Sequence, residues 1–294
     1  MASAKELKDR IKAVEETKKI TGAMHLISST KLRRAKVELA QTRAYFDALR
    51  RAITDILCVP PEYESRYFRA GGAGTGACGV LVITADKGLA GAYNLNVLRA
   101  AEALCASIPD ARLFVIGEYG HRYFTQHAPE STVYAGGAQT PTPERARSLG
   151  DDLLARYDAG ELGELYVIYT DMKNGLASET HTHKLLPLPR GAAGDGGAPR
   201  AQTEFLPSVD EVVRTGVRSY LRGFVYCALL DSYCAEQNAR VSAMDAANRN
   251  AQELLGDLSL QLNRQRQAAI TREITEISAG AQAQKNAGKK KGGA

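Results

Sequence analysis

A chain of 294 residues is long enough for one or two domains with a real core, and 44% apolar with 24% charged residues is an ordinary globular balance. Tryptophan is absent and aromatics make up only 6%, which favours helix-rich packing over a β-sandwich. The net charge of +5 is a mild excess lying mostly at the ends: Met1–Leu57 carries 13 Lys and Arg against 7 Asp and Glu, and Lys285, Lys289, Lys290 and Lys291 follow Gln284.

All ten prolines fall between Pro60 and Pro207. Proline inside a helix costs about 3 kcal/mol, so this distribution reads as long helix, middle domain, long helix. The first helix is expected over residues 1–59. Ser3 with Glu6 has capping-box spacing at its start, and Pro60–Pro61 ends it. Leu7, Ile11 and Val14 begin an apolar seam, Ile20, Met24 and Ile27 continue it after a slip, and Leu32, Ala35, Leu39, Thr42, Phe46, Leu49, Ile53 and Ile56 make it regular. Steps of three and four predict a coiled-coil pairing. The natural partner is the other proline-free stretch, antiparallel if both meet the same middle domain. Gly22 is a weak point, costing about 1 kcal/mol relative to Ala. Lys31–Lys36 (KLRRAK) is a basic run, either docking to an acidic surface or a solvated helix face.

The middle region, 77–190, changes period. Val80–Thr84, Leu113–Gly117, Thr132–Ala135 and Leu165–Thr170 are short runs of β-branched and aromatic residues, with helix-like segments at 94–107, 119–126 and 143–159 between them. The alternation predicts an α/β domain with a mainly parallel sheet covered by helices. Ala177–Leu186 reads as a further strand with one solvated face, and 191–207 as a glycine-rich linker. The turn Asp86–Asn94 (DKGLAGAYN) superficially resembles a phosphate loop but fits neither GxGxxG nor GxxxxGK[ST]. Its glycines suit a tight strand-to-helix turn. His181 and His183 share a strand side, yet no carboxylate or cysteine completes a metal set by spacing. Cys227 and Cys234, two helical turns apart, read as small apolar residues. No nucleophile–base arrangement is present, so neither a catalytic site, a cofactor nor a metal is expected.

The second helix is expected over 208–283, with Ser208 and Glu211 repeating the capping box, and a basic tail over 284–294. Ser208–Ala279 holds 72 residues without proline, which as one helix would run on the order of 100 Å. Its first part is apolar on several sides. Farther on a narrow seam runs through Val241, Met244, Ala251, Leu255, Leu258 and Leu262, then Ile270, Ile274 and Ile277. Such a stripe asks for a long partner. Five cysteines without a CxxC argue against a disulfide framework or zinc site and for a reducing compartment. Residues 2–30 lack the apolar core of a signal peptide, and no run approaches the roughly 18 apolar residues of a membrane span, so any membrane association would be peripheral.

Several of these segments together resemble the γ subunit of F-type ATP synthases: Glu236–Gln252 (EQNARVSAMDAANRNAQ), Asn263–Ile277 (NRQRQAAITREITEI), Thr17–Met24 with Ser29–Ala35, and Asp86–Asn94. The likeness runs in order from about residue 1 to 283. It implies an antiparallel coiled coil entering a ring of three α and three β subunits, with a Rossmann-like domain beside the ε subunit on the membrane c-ring. The implied role is that of a central rotor shaft coupling ion flow to ATP synthesis or hydrolysis, without a catalytic site of its own, at the cytoplasmic side of a bacterial inner membrane. It further implies a catch on a β-subunit loop at Arg266, Gln267, Thr271 and Glu273, and an apolar bearing at Ile270, Ile274 and Ile277. Lys18, Lys31, Arg33 and Arg34 are candidates for meeting acidic β surface. Membrane contact would be indirect, through the c-ring, and nucleic acid is not an expected partner. Gly22, Ala90, Val241 and Ser278 depart from the usual family residues, and the lysine tail exceeds the usual end. The other readings are a stand-alone coiled-coil scaffold, which would dimerise through its helices, a nucleic-acid binder with steep salt dependence, and a small α/β enzyme.

Overall fold

The computed structural model describes residues 3–56, 63–68, 76–128, 131–134, 138, 140–172, 178–189 and 205–291. Residues 191–204 of the linker expected at 191–207, Pro60–Pro61 and Cys58 lie outside the described residues. Two long helices, α1 (Ala4–Ile56) and α5 (Val209–Lys291), flank a middle region built from β1 (Ala77–Ile83), α2 (Tyr93–Ser107), β2 (Ala111–Ile116), α3 (Glu118–His127), β3 (Thr132–Val133), α4 (Pro143–Asp158), β4 (Leu162–Met172) and β5 (Ser178–Leu186). Both expected caps form: the Glu6 N–H donates to Ser3 Oγ at 3.2 Å and the Glu211 N–H to Ser208 Oγ at 3.3 Å. Among the described residues one short element, a 3₁₀ turn at Arg66–Phe68, has no forerunner in the sequence reading.

The chain divides into two compact units, residues 1–26 with 244–294, and residues 27–243. In the larger unit the strand order is β3-β2-β1-β4-β5, parallel throughout except for the antiparallel β4–β5 pair. Alternate residues of the central strands feed two cores, as the period of two requires. Leu81, Ile83, Phe114, Ile116, Leu165 and Val167 pack with α4 and with Val213–Leu229 of α5. Val80, Val82, Leu113, Val115 and Ile168 pack with α2, Phe124 of α3, Ala35 and Leu39 of α1, and Leu230–Ala235 of α5. Phe46 of α1 packs edge-on against Phe224 of α5 at 5.7 Å, and Tyr226 donates to Glu38 at 2.7 Å. Cys227 and Cys234 are buried, with burial first among the causes that push both thiols up to about 12, in keeping with apolar packing. The His183 ring stacks on Phe224 at 4.8 Å and His181 lies 5.9 Å from Tyr169, so both imidazoles pack against aromatic rings.

The seam of α1 corrects one expectation. No slip occurs: Leu7, Ile11, Val14, Lys18, Thr21, His25, Ser28, Leu32, Ala35 and Leu39 are covered or half-covered in unbroken steps of four and three, with Gly22, Met24 and Ser29 half-covered beside them. Ile20 and Ile27, expected in the seam, are turned out and exposed, while Met24 is only half-covered. The spacing decides this, because a straight helix presents one stripe whatever residues occupy it. Within the smaller unit the facing polar groups pair instead: Lys18 Nζ donates to Gln252 Oε1 at 3.2 Å and Thr21 Oγ1 to Asn248 Oδ1 at 2.5 Å. Both pairs run antiparallel, as expected of the two helices.

Candidate coupling surfaces

The far part of α5 is the first candidate surface. Met244, Ala251, Leu255, Leu258 and Leu262 form the covered side of this helix in the smaller unit, and Gln265 is half-covered. From Arg266 to Ala281 every side chain is exposed. Ile270, Ile274 and Ile277, spaced by four and three, form one stripe on that bare segment. At 3.6 residues per turn, Gln267 and Thr271 flank the stripe on one side and Arg266 and Glu273 on the other. All seven residues therefore share one stretch of helix, an apolar strip edged by hydrogen-bonding groups.

The basic residues divide differently. Lys31, Arg33, Arg34 and Lys36 are exposed on α1, beside the covered positions Leu32 and Ala35. Lys18 belongs to the other unit and donates to Gln252, so its ammonium is directed across to α5.

The third candidate is the C-terminal edge of the sheet. In a doubly wound sheet, ligands bind where the strand order reverses, here between β1 and β4, with phosphate at a helix N-terminus. Near that edge several of the chain's own polar groups bond to its backbone. Asp86 Oδ1 accepts from the Glu118 N–H at 3.1 Å, which caps α3 with a carboxylate. Asn94 Oδ1 accepts from the Ala85 N–H at 2.9 Å. Thr84 Oγ1 donates to the Ile116 carbonyl at 2.8 Å and accepts from the Gly120 N–H at 3.0 Å. Gly117 follows at φ 99°, and a Cβ there would lie 2.3 Å from the Thr84 carbonyl oxygen.

Arg240 of α5 lies on the same edge. It is 5% exposed and donates from Nη2 to the carbonyls of Lys87 and Gly88, each at 3.1 Å. Its Nη1 meets Glu236 Oε1 at 2.7 Å. Glu236 is 3% exposed, and burial pushes its carboxyl up, opposed by Arg240 and Lys31. The sequence reading gave neither residue a part. The available signal was a charged pair four residues apart within the broadly apolar stretch of α5, where charge is costly unless paired.

A second buried charge ties three elements together. Arg43 of α1 reaches Asp231 of α5 at 3.2 Å and Asp171 of β4 at 3.5 Å. Burial first, then the charge of Asp171, pushes the Asp231 carboxyl up to about 6, against the pull of Arg43 and His181. Nothing in sequence spacing links positions this far apart.

The family model described as ATP synthase matches residues 3–284. The chain is 37% identical over 289 residues to the ATP synthase gamma chain of Ruminiclostridium cellulolyticum, covering 95% of this chain and 98% of that one. The chain belongs to the ATP synthase γ family. The gamma chain of Acetivibrio thermocellus is likewise 37% identical, over 297 residues, covering 97% of this chain and 100% of the relative. Among solved structures, a chain of the Euglena gracilis mitochondrial ATP synthase shares the fold of this γ-family member, with TM-score 0.66, 15% identity, and coverage of 95% and 94%. A chain of the Tetrahymena thermophila mitochondrial central stalk and c-ring aligns at TM-score 0.59 and 21% identity, over 78% of this chain and 99% of that one. No described helix is long and apolar enough to cross a membrane.

Proposed function

We propose that this γ-family chain works as the central rotor shaft of an F-type ATP synthase, turning within a ring of three α and three β subunits to couple transmembrane ion flow to ATP synthesis or hydrolysis. The observation that carries the reading is the bare end of α5. From Arg266 to Ala281 an apolar stripe with polar edges is exposed and meets no cover among the described residues, on a protein whose relatives are ATP synthase gamma chains. In this reading Ile270, Ile274 and Ile277 turn in an apolar collar, and Arg266, Gln267, Thr271 and Glu273 form hydrogen bonds to a β-subunit loop that break and re-form. Lys31, Arg33 and Arg34 meet acidic β surface, and exposed ion pairs of about 0–1 kcal/mol suit a contact remade at each step. Lys18 contributes to that contact only from its place against Gln252.

Chemistry stays with the β subunits. At the C-terminal edge of the sheet Asp86 caps α3, Asn94 binds the Ala85 N–H and Arg240 binds the β1–α2 turn, so these groups serve the chain's own structure. The α/β domain then rests on the c-ring beside ε, so that the protein sits peripherally on the cytoplasmic face of a bacterial inner membrane. The test is co-expression with α and β subunits of the same organism, assaying ATPase with and without this chain. One copy per three β, with turnover weakened or uncoupled when residues 270–294 are deleted, is the expected result. A chain that never joins the ring and purifies alone as a stable dimer overturns the reading.

A further inference from the structure

A shaft transmits torque only if its helix cannot turn against the domain that drives it. Apolar packing resists separation well but resists sliding and rotation poorly, because it is non-directional. Directional bonds between α5 and the rest of the larger unit therefore carry particular weight. At the C-terminal edge of the sheet, Lys87 and Gly88 lie at the tip of the β1–α2 turn, with Leu89 beside them at φ 63° and 60% exposed. The turn is fixed at its base: Ala90 is buried, the Tyr93 N–H donates to the Ala90 carbonyl at 3.2 Å, and Asn94 and Asp86 hold Ala85 and α3. The two tip carbonyls accept from Arg240, and Nε adds a longer contact to Gly88 at 3.4 Å. Glu236, one turn earlier on α5, holds the other end of the guanidinium and in turn accepts from Gln237 Nε2 at 3.2 Å.

A planar fork held by a carboxylate behind and two carbonyls in front has one orientation, unlike a lysine ammonium. Burying that ion pair costs desolvation that an apolar pair would avoid, so the pair is informative about geometry rather than about stability. We propose that Arg240, braced by Glu236, is a positioning residue that locks α5 rotationally to the β1–α2 turn, so that the sheet and the helix turn as one body. The inference rests on the rotor-shaft reading.

The test uses the assembled, membrane-reconstituted enzyme carrying Arg240→Gln, Arg240→Lys or Glu236→Gln. Two quantities are read: amide hydrogen exchange of the peptide spanning residues 84–92, and protons pumped per ATP hydrolysed. Arg240→Gln removes the guanidinium's bonds to the Lys87 and Gly88 carbonyls together with its pair with Glu236, so exchange at the tip is expected to rise at least about tenfold. ATP hydrolysis is expected to continue while pumping per ATP falls severalfold. Arg240→Lys, which keeps the charge but loses the fork, falls between wild type and Gln in both quantities, and Glu236→Gln follows the same trend. Unchanged tip exchange, or faster exchange with full coupling, overturns the inference. If the Gln variant does not assemble, the Lys variant decides: wild-type exchange and coupling there overturn it equally. Failure of the wild-type chain itself to assemble with α and β would instead refute the rotor-shaft reading.

Discussion

Asp231 makes a prediction opposite to the usual behaviour of a carboxylate. It is 8% exposed, between Arg43 and Asp171, and its carboxyl is raised from 3.8 to about 6. The folded chain thus binds this proton more tightly than the unfolded chain does. The stability due to this group is present when Asp231 is protonated and is lost as pH rises through about 6. A shift of roughly two units is worth about 3 kcal/mol across the whole window, of which about 1.4 kcal/mol falls between about pH 7.5 and about pH 5. The assay is urea denaturation of wild type and Asp231→Asn at both pH values, followed by far-ultraviolet circular dichroism because the chain has no tryptophan. On moving to the lower pH, wild type should gain about 1.4 kcal/mol relative to the variant. Identical pH responses, or a relative loss by wild type, would refute the assigned environment of Asp231.

The other predictions concern backbone and bearing. At Gly22 an added Cβ meets nothing within 4 Å, so Gly22→Ala should stabilise the helix by about 1 kcal/mol, read as a higher urea midpoint. Gly117→Ala should do the reverse: at φ 99° with the Thr84 carbonyl 2.3 Å from the new Cβ, a loss of about 3 kcal/mol or failure to fold is expected, visible in the same titration. Ile274→Lys adds a charge to the exposed stripe of α5, leaving the free chain's unfolding free energy within about 0.5 kcal/mol of wild type while impairing assembly or coupled turnover in the reconstituted complex. Normal coupled turnover in that variant would remove the bearing from the proposal.

Much of the fold was legible because its signals are local. The proline-free stretches, the two serine caps and the alternation of short β-branched runs with helical segments all act over a few residues, and each expected element appears among the described residues. The misreading of α1 has an equally simple cause. Ile20 and Ile27 were placed in the seam because they are apolar, whereas the unbroken step from Val14 to Lys18, Thr21 and His25 follows helix geometry and places polar residues inward. Apolar character marks a surface that something covers, without saying whether the cover comes from the same chain. The Arg43–Asp171–Asp231 cluster and the seat of Arg240 on the β1–α2 turn depend on contacts far apart in sequence, and a single chain without aligned relatives carries no trace of such pairings. Ile270, Ile274 and Ile277 are legible from their spacing as an apolar stripe, their role and that of the flanking residues came through family likeness, and their exposure on α5 is what the structure adds.

The uncovered stretch from Arg266 to Ala281 bears on the lifetime of the free chain. A lone helix of this length is marginal in water, since tertiary packing normally supplies most of its stability. Arg266 and Arg272 lie on it, and Arg264 just before it, all exposed and open to trypsin-like cleavage once the turns fray. A cut at any of these arginines would separate Ile274 and Ile277 from the rest of the chain. The same exposed helix that suits docking is thus also the part a protease can reach once its turns fray.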